Sequence, residues 1–85
     1  VEQNPDVETQ NTLALTYYEL GDYKQAINIF ENLLSKYPEN ISVLRSLAMC
    51  YDKLKENDKA LEYLYKLTDI FPEDEEAQEM IRNLS

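Results

Sequence analysis

The chain repeats itself. Shifted by 34 residues, Leu13–Pro38 falls on Leu47–Pro72, pairing Leu13 with Leu47, Ala14 with Ala48, Tyr17 with Tyr51 and Leu20 with Leu54. Ala26 then meets Ala60, Leu33 meets Leu67, Pro38 meets Pro72 and Glu39 meets Glu73. These are eight identities over the 34 pairs that align Val7–Asn40 with Ile41–Asp74, where average residue usage gives roughly two. Ile27 with Leu61, Phe30 with Leu64 and Tyr37 with Phe71 are further apolar matches. A fixed period of this length marks stacked units that cannot each hide an apolar face alone.

The units are helical. The chain has one glycine and three prolines in 85 residues, few places for tight turns and so a bias toward a few long helices over many short strands. The spacing predicts a first helix from Asp6, capped by its carboxylate. Leu13, Tyr17 and Leu20 lie inward on it, and Val7, Ala14 and Leu15 widen the apolar face. Gly21 suits a left-handed helix end, and Asp22 followed three residues later by Gln25 reads as a capping box. A second helix to about Lys36 turns Ala26, Ile27, Phe30, Leu33 and Leu34 inward. Pro38 stops it and pushes Tyr37 into an extended conformation.

One period on, Asn40 opens a third helix with Leu44, Leu47, Ala48, Tyr51 and Leu54 inward. Lys55-Glu56-Asn57 forms the next turn, with Lys55 where Gly21 stood. Asn57 is expected to take the left-handed conformation, since Asn tolerates it best after Gly. A fourth helix, about Asp58 to Ile70, buries Ala60, Leu61, Leu64 and Leu67. Asp74 opens a last helix to about Leu84, whose Ala77, Met80, Ile81 and Leu84 cover the apolar side the second unit leaves open. Connections of three or four residues make neighbouring helices antiparallel. The small residues Ala14, Ala26, Ala48 and Ala60 let the helices of each hairpin approach closely. The expected fold class is all-α: residues 1–5 a linker or frayed end, 6–40 and 41–73 two hairpin units, and 74–85 a capping helix.

These residues resemble the tetratricopeptide repeat. The first unit supplies that family's pattern as Leu13-Ala14, Tyr17, Gly21-Asp22-Tyr23, Ala26, Phe30 and Pro38. The second supplies it as Leu44, Leu47-Ala48, Tyr51, Ala60, Leu64 and Pro72. Lys55 and Asn57 depart from its Gly and Tyr, and Gln10 from a large apolar position. The resemblance implies an alpha-alpha superhelix, a solenoid whose first helices line a concave groove that holds a peptide or helix of another protein. Carried over by position, the groove residues are Asn11, Leu15, Tyr18, Arg45, Met49, Asp52 and Lys53, flanked by Glu8, Glu19, Ser42, Glu76 and Glu79. Leu15, Tyr18 and Met49 suit an apolar anchor of a partner chain; the alternative, that they pad junctions between neighbouring helices, stays open. The carboxylate clamp of tetratricopeptide co-chaperones is absent, because the corresponding positions read Asn11, Leu15, Ser46, Glu76 and Met80.

Charge and residue types narrow the function classes. A net charge of −9 and pI near 4.3 argue against nucleic acid and anionic membranes, which demand a cationic face, and favour a basic or apolar polypeptide. No apolar run approaches the roughly 18 residues of a membrane span. Histidine is absent, which removes the commonest general base and metal ligand. Glu73-Asp74-Glu75-Glu76 lacks the glycine and alternating spacing of a calcium loop; acids at a helix start suit the helix dipole. Cys50 reads as a small core residue, and a lone cysteine fits a reducing, cytoplasmic setting. The expectation is a non-catalytic interaction module without cofactor. The alternative is a structural unit that stacks on flanking repeats or forms a homo-oligomer through an uncapped end, the N-terminal side being the open face.

Overall fold

The computed structural model describes residues 5–84, with side chains from Val7 onward. Five helices follow in order: α1 (Pro5–Glu19), α2 (Tyr23–Lys36), α3 (Ile41–Lys53), α4 (Asn57–Ile70) and α5 (Glu75–Leu84). No strand occurs among the described residues. Each helix packs on the next: α1 on α2, α2 on α3, α3 on α4 and α4 on α5. The described body measures 34 × 31 × 18 Å, and its short dimension is about two helix diameters. The chain is therefore a two-layer stack of hairpins.

The four alanines sit where the close crossings require them. Ala14, Ala26, Ala48 and Ala60 are fully buried. Val7, Ala14, Ala26, Ile27, Phe30 and Leu33 share one core cluster with Val43, Leu47, Cys50, Tyr51 and Ala60. A second cluster joins Leu44 and Ala48 to Leu64, Leu67 and Ala77, with Met80, Ile81 and Leu84 packed against it. The last helix thus covers the second unit as its apolar face predicts. Leu34, Leu54 and Leu61 are half-buried at the cluster edges.

Most of the local signals work as their chemistry suggests. Asp22 accepts from the Gln25 backbone N–H at 3.4 Å, Asn40 from Val43 at 3.2 Å and Asp74 from Ala77 at 3.1 Å, each satisfying a free donor of a first helical turn. The Asp22 capping box is one-sided, because the Asp22 N–H donates to the Tyr17 carbonyl at 2.9 Å. Tyr37 ahead of Pro38 has left the helical region, but with φ −132° and ψ 75° it stops short of the extended conformation expected of it. Val1–Asn4, the greater part of the expected linker, and the carboxylate of Asp6, expected to cap α1, lie outside the described residues.

Three expectations need correction. Lys55, not Asn57, takes the left-handed conformation, with φ 65° against 84° at Gly21. The reason is the hydrogen-bond closure of the turn. Gly21 N–H donates to the Tyr18 carbonyl and Asp22 N–H to Tyr17; Lys55 N–H donates to Asp52 and Glu56 N–H to Tyr51. Both α1 and α3 end in this Schellman pattern, which fixes the left-handed residue at the same register, and Asn57 is already the first residue of α4. Leu13 and Leu20, expected inward on α1, are 46% and 75% exposed. Leu47, one period after Leu13, is fully buried in the core that α2 shares with α3, and no helix among the described residues stands in that place before α1. Leu15 is likewise exposed rather than part of the buried face.

Candidate functional site

The seven candidate groove residues lie on α1 and α3 and are spaced as a stripe. Asn11, Leu15 and Tyr18 follow one another by four and three residues, and Arg45, Met49 and Asp52 repeat that spacing one period later. Residues so spaced share a helix face. Leu15 is exposed on α1, while Asn11, Tyr18, Arg45, Met49 and Asp52 are half-buried; Lys53 is exposed at the end of α3.

Tyr18 is the best-positioned of these. Its ring meets Tyr23 edge to face with centroids 5.4 Å apart, a favoured geometry for aromatic pairs. Tyr23, the first residue of α2, thereby props Tyr18 against the α1–α2 turn. Burial raises the Tyr18 pKa above its ordinary value, and Tyr23, Cys50, Asp52 and Glu19 add to the effect. Tyr18 also packs against the core cluster that holds Cys50 of α3. The hydroxyl stays protonated at neutral pH, a neutral donor beside an acidic surface. Asn11 Oδ1 is covered and finds no hydrogen-bond donor among the described residues.

Arg45 departs from its expected role. Its guanidinium pairs with the buried Asp74 carboxylate, and its Nε lies 3.4 Å from Glu76, within ion-pair range but without hydrogen-bond geometry. Burial acts to raise the Asp74 pKa; the Ala77 N–H, the Arg45 guanidinium and the Glu76 N–H outweigh it and hold the carboxyl below its ordinary value. Arg45 is thus engaged in tying α3 to the start of α5. Of the two cations among the candidate residues, Lys53 is the exposed one.

The sequence reading also missed a junction. Tyr51 Oη donates to Glu31 Oε2 at 2.9 Å and Tyr63 Oη to the same oxygen at 3.3 Å. The two rings stack with centroids 5.7 Å apart, 7° from parallel, and Lys59 and Lys66 lie 5.4 and 5.5 Å from the Tyr51 and Tyr63 ring centres. Burial, with Glu31 beside them, raises the Tyr51 hydroxyl above its ordinary value and pushes the Tyr63 hydroxyl up to about 12. This knot joins α2, α3 and α4. Its members are 20 and 32 residues apart, a separation with no local signature. Tyr65 points outward, as one of the Tyr63–Tyr65 pair must.

Cys50 is fully buried, and burial pushes its thiol up to about 11, so it is a packed side chain and not an activated nucleophile. The described residues hold no cluster of three or more metal-ligating side chains and no helix long and apolar enough to cross a membrane.

The family model of the tetratricopeptide repeat matches residues 17–84. The chain belongs to the tetratricopeptide repeat family. Similar proteins include the CTR9 homolog of Arabidopsis thaliana, 41% identical over 58 residues, which are 68% of this chain and 5% of that protein. The TPR repeat-containing protein MJ1428 of Methanocaldococcus jannaschii is 41% identical over 54 residues, 64% of this chain and 10% of the relative. UBA domain-containing protein 7 of Schizosaccharomyces pombe is 31% identical over 83 residues, 93% of this chain and 12% of the relative. The chain thus spans a small part of each relative's length. Among solved structures, a mutant form of MamA superposes with a TM-score of 0.83 at 20% identity, covering 99% of this chain and 61% of that one; that likeness bears on the fold alone. Tetratricopeptide repeats generally serve as protein-interaction modules.

Proposed function

We propose that the face of α1 and α3 bearing Asn11, Leu15, Tyr18, Met49 and Asp52 holds a peptide or helix of a partner protein, and that the chain acts by binding, without catalysis. The observation that carries this reading is the stripe itself: the exposed Leu15 and the propped Tyr18 share one face of α1 with Asn11, and Met49 and Asp52 repeat their spacing on α3. Tyr18 offers an aromatic edge, held by Tyr23, with a protonated hydroxyl as a donor. Leu15 and Met49 supply adaptable apolar contact beside it.

Charge selects among ligands. With Arg45 paired to Asp74 and Glu76, Asp52, Glu8, Glu19 and Glu79 leave this face acidic, as is the whole chain at −9. A basic segment with an apolar anchor complements it. Arg45 and Lys53 are then assigned differently: Arg45 holds the α3–α5 arrangement, and Lys53 lies at the rim.

Selection of a displayed random-peptide library against the chain tests this. The expected winners carry Lys or Arg around a Leu, Met or aromatic residue, and their affinity falls about tenfold or more in Tyr18→Ala plus Met49→Ala. Winners that bind the double variant unchanged would place recognition elsewhere.

A further inference from the structure

We propose that the groove between α2 and α4, walled by Lys24 and Ser35 on one side and by Lys59, Tyr63 and Lys66 on the other, is a second docking surface, and that its occupant is an extended acidic segment of a partner protein. This surface is separate from the binding face of α1 and α3 and calls for the opposite charge.

Helix spacing builds the groove. Lys24, Asn28, Glu31 and Ser35 follow one another on α2 by four, three and four residues, and Lys59, Tyr63 and Lys66 on α4 by four and three. Each set shares one helix face. The Tyr63 hydroxyl donates to Glu31 at 3.3 Å, so the two faces turn toward each other. Between them Glu31, Leu34, Ser35, Pro38, Tyr63 and Lys66 line a shallow groove.

The charge here runs against that of the chain. At −9 overall, the protein sets three lysines along this groove, and Glu31 is the acid between them. Glu31 Oε2 already accepts from the hydroxyls of Tyr51 and Tyr63. The lysines of α4 are positioned: Lys59 Nζ lies 5.4 Å from the Tyr51 ring centre and Lys66 Nζ 5.5 Å from that of Tyr63. A ring face attracts an ammonium without neutralising it. Among the described residues the ion pairs are those of Arg45 with Asp74 and Glu76, so neither ammonium has a carboxylate of its own. A carboxylate that binds there meets side chains already ordered by the rings, which lowers the cost of association.

Geometry narrows the occupant. Lys59 and Lys66 are seven residues apart, about 10 Å along the helix axis, a distance that an extended chain covers in about three residues. Acidic residues at the two ends of that step meet the two ammoniums, and an apolar residue beside the Lys66 end meets Leu34 and Pro38. Asp58, Glu62 and Asp69 stand exposed on the other flank of α4, so the cationic strip is narrow. A nucleic-acid duplex or an anionic membrane, which needs a broad cationic face, would meet those acids. A single peptide strand does not.

Fluorescence anisotropy with two short labelled peptides at low ionic strength tests this. One peptide carries two glutamates three residues apart, followed by leucine; the other has lysine in place of each glutamate. The acidic peptide is expected to bind saturably, and Lys59→Gln plus Lys66→Gln to weaken it about three- to tenfold. Both lysines are exposed, so this variant is expected to keep its fold. Lys53→Gln plus Arg82→Gln, the same change in net charge outside the groove, should leave the affinity within about twofold. Tyr18→Ala plus Met49→Ala should do the same, which separates this result from the fate of the α1–α3 face. Glu31→Gln keeps an acceptor for the hydroxyls, removes a like charge and should tighten binding about twofold.

An unchanged affinity in the Lys59 and Lys66 variant, or an equal loss in the two charge-matched variants, would overturn the proposal. So would equal binding of the lysine peptide, or no saturable binding at about 1 mM acidic peptide. Single-stranded DNA that binds more tightly than the acidic peptide through the same two lysines would overturn it in favour of a nucleic acid. A chain that sediments as a dimer and becomes monomeric with Lys59→Gln plus Lys66→Gln would overturn it in favour of a second copy.

Discussion

Lys55 stands in the left-handed place that Gly21 occupies one period earlier, with φ 65° against 84°. The two turns share one hydrogen-bond closure, so the second turn is the first with its least strained residue removed. A side chain in this region costs about 1–2 kcal/mol. Part of that is offset by the greater freedom glycine has in the unfolded chain. Lys55→Gly is expected to stabilise the protein by about 0.5–1 kcal/mol, read as a higher urea midpoint at unchanged slope. Nothing lies within 4 Å of a Cβ added at Gly21, so Gly21→Ala should cost about 1 kcal/mol through backbone strain alone.

Asp74 does two jobs, capping α5 through the Ala77 N–H and pairing with Arg45. Its pKa is held below the ordinary 3.8. A depressed carboxylate contributes stability that is fully present above the unfolded value and is lost as pH falls through the folded one. Acid unfolding should therefore steepen below about pH 4. Asp74→Asn keeps a capping oxygen but loses the charge, and should cost about 1.5–3 kcal/mol at neutral pH. In urea melts at pH 7 and pH 3, the gap between parent and variant should shrink at the lower pH.

Ala26 and Ala60 are fully buried at their helix crossings. Leucine at either position forces the hairpin apart, at about 1–3 kcal/mol or more. A melting temperature within a degree or two of the parent would show that these alanines do not set the crossing distance.

Glu31 receives both tyrosine hydroxyls. Glu31→Ala removes both acceptor contacts and should cost about 1–3 kcal/mol. Tyrosine titration followed by ultraviolet absorbance supplies a separate readout. The Tyr63 hydroxyl, pushed up to about 12 by burial and by Glu31, should ionise at lower pH in Glu31→Gln, which removes the negative charge.

Helix positions, hairpin pairing and the alanine contacts were legible because they are local or periodic: capping residues, apolar spacing and a 34-residue shift each leave a signature in the sequence. Leu13 and Leu20 misled because apolar spacing marks a face that can be buried, and only the presence of a neighbour decides that it is. Asn57 misled because the hydrogen-bond register of the turn, and not residue preference, decides which residue turns left-handed. The four-and-three spacing of Asn11, Leu15 and Tyr18, repeated by Arg45, Met49 and Asp52, stands in the sequence itself; its use as a binding face is the proposal above. Arg45 read as a groove residue because its partners, Asp74 and Glu76, come 29 and 31 residues later, beyond any spacing rule for one helix. The Glu31 knot was hidden for the same reason.

Amide chemical-shift mapping of the chain with a basic, leucine-containing peptide from the display selection tests the binding account most directly. The account predicts saturable shifts concentrated at Asn11, Leu15, Tyr18, Met49 and Asp52. Shifts confined to α2 and α4, or to the Leu13 and Leu20 face of α1, would contradict it.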